Sequence, residues 1–179
     1  MAEKVLIISS SPRRGGNSDR LCDEFMKGAQ ASGKSAEKIF LKDYKINYCV
    51  GCGACSERNL PCPQKDDAAM LVQKMIDADI IVMATPVYFY SISAQMKTLI
   101  DRTCARYTEM IGKKFYFIMT CAESDPACMD RTLEDFRGFL DCLENAQEVG
   151  ALRAAGVWKK GEIENTKYLS EAYEAGEKI

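Results

Sequence analysis

Short apolar runs that alternate with longer stretches of helical periodicity constrain this chain more than any other feature. Ile80-Ile81-Val82-Met83 is continuous apolar sequence that closes at Thr85-Pro86, the pattern of a strand buried on both faces of a parallel sheet. Strands are predicted at residues 5–9, 36–41, 80–86, 115–120 and 147–157. Between them, helical spacing begins near Asn17-Ser18, places Leu21, Cys22, Phe25, Met26 and Ala29 on one face, and stops near Gly33. A second helix opens at the acidic pair Asp66-Asp67 and carries Met70, Leu71, Met75 and Ile76. Further helices are expected over residues 92–106, 127–145 and from about Glu164 onward. This βα alternation implies an α/β protein, a parallel sheet covered by helices in three layers.

The 179 residues suit one domain spanning 1–179, with a cysteine-rich insertion at about 48–66. Nothing approaches the apolar run that spans a bilayer, so no membrane partner is expected. Met1-Ala2-Glu3-Lys4 leads straight into Val5-Leu6-Ile7-Ile8, too short for a signal-peptide core, and the segment reads as a first strand of a cytoplasmic protein. A net charge of -2 offers no basic face for nucleic acid. The chain has no histidine, which removes Ser-His and Cys-His nucleophiles and every histidine-bearing zinc site.

Five strands and five helices match the count of a flavodoxin-like fold, whose sheet order is 2-1-3-4-5. Open sheets of this kind bind ligands beyond the carboxyl ends of their strands, where the order reverses. Here that point lies between strands one and three, so the loops after residues 9 and 84 are expected to build the site.

The first of those loops is Ser9-Ser10-Ser11-Pro12-Arg13-Arg14-Gly15-Gly16-Asn17-Ser18, leading into a helix. Hydroxyls, backbone N–H groups, two guanidinium groups and a positive helix end converge there, and the glycines permit close backbone approach. A phosphate monoester suits such a loop. There is no Walker lysine and no G-x-G-x-x-G, so neither an NTPase loop nor a dinucleotide fingerprint is supported. The same residues also serve as ordinary turn and helix-cap types. The second loop, Thr85-Pro86-Val87-Tyr88-Phe89-Tyr90-Ser91, sets three aromatics where a ligand is expected. A flat isoalloxazine ring could stack on Tyr88 or Phe89, with loop N–H groups stabilising negative charge on the reduced ring. Plugging of the sheet and a dimer interface are the other readings of these rings.

Together with Ala84-Thr85-Pro86-Val87-Tyr88-Phe89 and Lys97-Thr98-Leu99-Ile100-Asp101-Arg102, the first loop resembles the NADPH-dependent FMN reductase family of flavodoxin-like proteins, over residues 4 to about 121. The resemblance implies that Ser9, Ser11, Arg13, Gly16, Asn17 and Ser18 hold the FMN phosphate and that Pro86, Val87, Tyr88 and Phe89 contact the ring. It also implies a third contact from Cys121, Ala122 and Glu123, after strand four.

Nine cysteines are many for such a chain. Cys49, Cys52, Cys55 and Cys62 form C-x2-C-x2-C-x6-C, followed by Pro63. Three thiolates at intervals of three can wrap one face of an iron–sulfur cube and a fourth can close it, with Gly51 and Gly53 allowing tight turns. A [4Fe-4S] cluster, a zinc ion and free or redox-active thiols all remain open; zinc favours two separated C-x2-C pairs. The motif resembles that of the iron–sulfur flavoproteins, in which a cubane feeds electrons to FMN, and it also resembles that of flavin reductases. Cys22, Cys104, Cys121, Cys128 and Cys142 read mostly as small buried hydrophobes, with Cys121 placed for a redox role by its position after strand four.

The resemblance implies an FMN-dependent oxidoreductase that takes electrons from NAD(P)H and passes them to a small-molecule acceptor, and it names no catalytic side chain. The alternative is an electron carrier charged by ferredoxin or a similar protein through the cluster. A redox sensor that has lost turnover is a third reading. A homodimer or homotetramer is expected, because flavin on an open sheet edge leaves apolar rim for a second subunit.

Overall fold

The computed structural model describes residues 2–58 and 60–179. Strands β1 (Lys4–Ser9), β2 (Ser35–Phe40), β3 (Ile80–Pro86), β4 (Lys114–Thr120) and β5 (Gln147–Ala154) form one sheet in the order β2-β1-β3-β4-β5. Every neighbouring pair is parallel, which is the flavodoxin-like arrangement expected from the sequence. Alternate residues face opposite layers, as the two-residue period of a strand requires. Leu6, Ile8, Ile81, Met83, Phe115 and Phe117 pack with helices α2 (Ala68–Asp77), α3 (Ala94–Arg102) and α4 (Asp130–Leu140). Val5, Ile7, Ile80, Val82 and Ile118 face α1 (Asn17–Ala31) and α5 (Tyr168–Lys178). The central strand is buried on both sides from Ile80 to Ala84, so the continuous apolar run has a direct cause.

Helix α1 buries Leu21, Cys22, Phe25 and Ala29 and leaves Met26 at the margin. It ends at Ser32, followed by Gly33 at φ +86, the left-handed stop that glycine adopts at low cost. α1 and α5 approach through Gly28 and Gly176: a Cβ on Gly28 would overlap the Tyr173 carbonyl, and one on Gly176 the Phe25 carbonyl. Two small residues therefore set the spacing of the outer layer.

Several predicted boundaries shift. The third helix stops at Arg102 and continues as 3-10 turns at Thr103–Ala105 and Tyr107–Glu109. The fourth begins as a 3-10 turn at Pro126–Met129 and its α-helical part closes at Leu140, well before residue 145. β5 ends at Ala154, because Gly156 at φ +75 turns the chain back across β4 through Gly156 N–H to Glu123 C=O and Val157 N–H to Cys121 C=O. In α2 the buried positions are Ala68, Leu71, Val72 and Met75, whereas Met70 is exposed.

Candidate functional site

A cleft opens at the carboxyl end of the sheet, where β1 and β3 diverge toward their helices. It is lined by Ser11, Arg13, Gly16, Asn17 and Ser18 from the first loop, by Pro86, Val87 and Tyr88 after β3, and by Cys121 and Ala122 after β4. The structure therefore brings most of the expected positions together. Ser9, Phe89 and Glu123 do not line it. Ser9 is buried within β1 with its hydroxyl unpartnered. Phe89 projects wholly into solvent at 101% exposure. Glu123 is exposed, and its carbonyl accepts from Gly156 N–H at 2.6 Å.

The first loop is built around the start of α1. Gly16 is the N-cap residue and supplies no side-chain cap, which leaves the N–H groups and positive end of the first turn for a ligand. A Cβ at Gly16 would sit 2.8 Å from both the Arg13 carbonyl and the Ser11 hydroxyl, so the cradle admits glycine alone. Ser11 Oγ fixes the loop by donating to Arg13 C=O at 2.9 Å and accepting Arg13 N–H at 3.1 Å. The two arginines part company. Arg13 lines the cleft, whereas Arg14 pairs with Asp43 at 2.5 Å and stacks over Phe40 at 4.4 Å. One guanidinium, not two, is available to an anion.

Four lining residues lie outside the sequence expectation: Thr120, Val157, Trp158 and Lys160. The last three come from the turn after β5, which Asn17 holds in place. Asn17 Nδ2 donates to Lys159 C=O at 3.0 Å, and its Oδ1 accepts Gly161 N–H at 3.2 Å. Glu162 completes the turn by accepting the N–H groups of Trp158 and Lys159 at 2.6 and 2.8 Å. The sequence signal for these residues is a lone tryptophan beside a lysine pair, Trp158-Lys159-Lys160, which a strand running to residue 157 leaves no turn to present, whereas β5 ends at Ala154.

The aromatic loop is tightly folded. Val87 N–H donates to Thr120 C=O at 2.8 Å, and Tyr88 and Ser91 exchange both backbone bonds at 3.1 Å. Phe89 and Tyr90 occupy the turn between them at φ +50 and +63, a conformation that suits Asn-Gly and strains aromatic residues. The N–H groups of Val87, Tyr88 and Cys121 are committed to backbone partners, so none of these three is free to bond a flavin ring. Ser10, Thr85 and Ser93 tie the first loop to the second: Ser93 and Ser10 hydroxyls meet at 2.9 Å, and Thr85 Oγ1 accepts Ser93 N–H at 2.9 Å.

The cysteine loop lies between β2 and α2. Gly51 and Gly53 take φ +61 and +69, which are the tight turns expected of them. Cys49 and Cys52 are exposed and Cys55 and Cys62 half-buried. Among the described residues no three Cys, Asp or Glu side chains converge as a ligand group for a single metal ion. Cys55 instead approaches Cys104 at 4.0 Å. A buried ion pair anchors the loop: Arg102 meets Asp66 at 2.6 and 3.0 Å, Asn47 C=O at 2.7 Å and Cys62 Sγ at 3.4 Å. Burial pushes the Asp66 carboxyl up, but Arg102 and the N–H groups of Asn47 and Ala68 outweigh it and bring it down to about 2. An apolar cavity of about 510 Å³, lined by Cys49, Ile100, Cys104, Tyr107, Phe139 and Cys142 among others, opens beside this loop. It is larger than the cleft but lacks an uncapped helix N-terminus. Of the five scattered cysteines only Cys22 and Cys121 are buried; Cys104 and Cys142 are exposed, contrary to the packing role expected.

The chain resembles several known proteins. Over 99 residues it is 40% identical to an iron-sulfur flavoprotein of Archaeoglobus fulgidus, covering 55% of this chain and 44% of that protein. Over 100 residues it is 42% identical to an iron-sulfur flavoprotein of Methanocaldococcus jannaschii, covering 56% and 51%. The matched part thus spans about half the length of these curated relatives. Among solved structures, a flavone reductase superposes with a TM-score of 0.76 at 22% identity, over 98% of this chain and 61% of that one, which establishes the fold. Residues 3–154 match the family model of NADPH-dependent FMN reductase, and the chain belongs to that family.

Proposed function

We propose that the chain is an FMN-dependent oxidoreductase that takes electrons from NAD(P)H and delivers them to a small-molecule acceptor. The observation that carries this reading is the uncapped N-terminus of α1, cradled by a glycine whose Cβ has no room, at the point where strand order reverses. Ser11, Gly16, Asn17 and Ser18 would hold the FMN phosphate, with Arg13 and Lys160 offsetting its charge. Pro86, Val87, Tyr88, Cys121 and Ala122 would border the ring, with Ser9, Phe89 and Glu123 supporting from adjacent positions. Bound there, FMN would supply hydride acceptance and stepwise electron release. The protein's part is to bind, to orient and to exclude water, with Trp158 and Tyr88 at the rim. No side chain is assigned as acid or base.

One domain, working as a homodimer or homotetramer in the cytoplasm, is part of the same reading. The exposed Phe89, Tyr90 and Trp158 support a covering subunit, and the abundance of cysteine suits a reducing compartment. Among the described residues no helix is long and apolar enough to cross a membrane.

The C-x2-C-x2-C-x6-C spacing and the iron-sulfur flavoprotein relatives support a second reading. In it Cys49, Cys52, Cys55 and Cys62 hold a [4Fe-4S] cluster and a ferredoxin-like protein is the donor. A visible spectrum of anaerobically purified protein, before and after NADPH, separates the two. Flavin bands bleached by NADPH support the reductase. Flavin together with iron and acid-labile sulfide, and no bleaching, supports the carrier, and absence of flavin binding removes both.

A further inference from the structure

Cys121 and Cys128 are placed on different elements, yet their sulfurs lie 3.0 Å apart. Cys121 directly follows β4, is buried and lines the cleft. Cys128 sits in the 3-10 turn Pro126–Met129 and is half-buried. The turn is held by its own bonds, Cys128 N–H to Asp125 C=O at 3.2 Å and Ala127 N–H to Asp125 Oδ1 at 2.9 Å. Nothing in it depends on the sulfurs for its shape. The other close cysteine pair among the described residues, Cys55 and Cys104, is 4.0 Å apart.

We propose that Cys121 and Cys128 form a redox-active dithiol that cycles to a disulfide beside the cleft, with small-molecule disulfides as exchange partners. A sulfur–sulfur bond of roughly 2.05 Å needs the pair to close by about 1 Å. Burial pushes the Cys121 thiol up to about 12, so it stays protonated near neutral pH, and the half-buried Cys128 is the sulfur a solvent-borne disulfide meets first. Deprotonated Cys128 attacks one sulfur of RS–SR, forming Cys128–S–SR and releasing RS⁻, which takes a proton from water. Cys121 then attacks the Cys128 sulfur and expels the second RS⁻, which takes up the proton that Cys121 gives up. Two protein thiols are oxidised to one disulfide while RS–SR is reduced to two RSH. The inference rests on the sulfur geometry and stands whether or not flavin binds.

The full chain would be equilibrated in graded mixtures of reduced and oxidised glutathione, quenched with an alkylating agent, and digested with trypsin. The tryptic peptide 115–131 contains both cysteines and no other. As the buffer becomes oxidising, this peptide should convert from doubly alkylated to an internal disulfide lighter by two hydrogens, and it should return on reduction. Cys121→Ser should halt the sequence with glutathione on Cys128. A wild-type peptide that remains doubly alkylated throughout, or takes glutathione on both cysteines without the internal bond, overturns the proposal. The wild-type result decides by itself if the variant does not fold.

Discussion

Replacing Asp66 with Asn removes one half of a buried charge pair and is expected to cost the fold about 3–5 kcal/mol. The side chains of Asp66 and Arg102 are 0% and 3% exposed. Asp66 accepts two bonds from Arg102 and one each from the N–H groups of Asn47 and Ala68 at 2.9 and 3.1 Å. Asparagine keeps a single acceptor oxygen and no charge, and the guanidinium has little in reserve because its Nε is already without a partner. The depressed carboxyl gives an independent magnitude. Moving from the ordinary 3.8 to about 2 corresponds to roughly 2–3 kcal/mol at about 1.4 kcal/mol per pKa unit. The sign follows from the direction: this stabilisation is complete above the unfolded carboxyl's 3.8 and is lost as pH falls through about 2. The variant figure is larger because it also leaves the arginine uncompensated. Urea unfolding followed by circular dichroism at neutral pH and near pH 3 measures both effects. The variant should lose this part of the acid dependence, and cleavage within residues 48–62 by a protease should speed up. Arg102→Met combined with Asp66→Leu should recover much of the stability, since apolar replacement of a buried pair is often neutral. A loss below about 1 kcal/mol for Asp66→Asn would refute the reasoning.

Three further outcomes are expected. Gly16→Val should weaken FMN binding by at least about tenfold, or ~1.4 kcal/mol, because its Cβ meets Arg13 and Ser11 at 2.8 Å; flavin fluorescence titration reads this directly, and unchanged affinity would remove the cradle. Gly28→Val should cost about 2 kcal/mol or more by forcing α1 from α5, visible as a lowered thermal midpoint. Exchanging Phe89-Tyr90 for Asn-Gly should stabilise the chain by about 1–2 kcal/mol, by relieving the left-handed backbone of two aromatic residues; no rise in the urea midpoint would show that the turn stores no strain.

The sheet was legible because a parallel strand buried on both faces has a nearly continuous apolar signature, as in residues 80–84. Its order followed from the flavodoxin-like count. Helix ends were less legible, since helical periodicity continues into 3-10 turns such as Thr103–Ala105 without a compositional break. The first loop could be read because glycines, hydroxyls and arginines crowd one strand-to-helix turn. Which arginine serves the cleft could not, because Arg14 is drawn away by Asp43, distant in sequence. The contribution of Trp158 and Lys160 depends on Asn17 reaching across to the segment after β5, a contact that no local pattern encodes. The same holds for the meeting of Cys121 with Cys128 and for the pinning of the cysteine loop by Arg102.

The central claim is that the start of α1 receives the phosphate of FMN. Flavin-depleted full-length protein titrated with FMN and, separately, with riboflavin tests it most directly, because the two differ only in that phosphate. Binding of FMN should be at least about 100-fold tighter, roughly 3 kcal/mol, as charge-assisted bonds to a preformed cradle require. Equal affinity for riboflavin, or no saturable binding of FMN, would contradict the account.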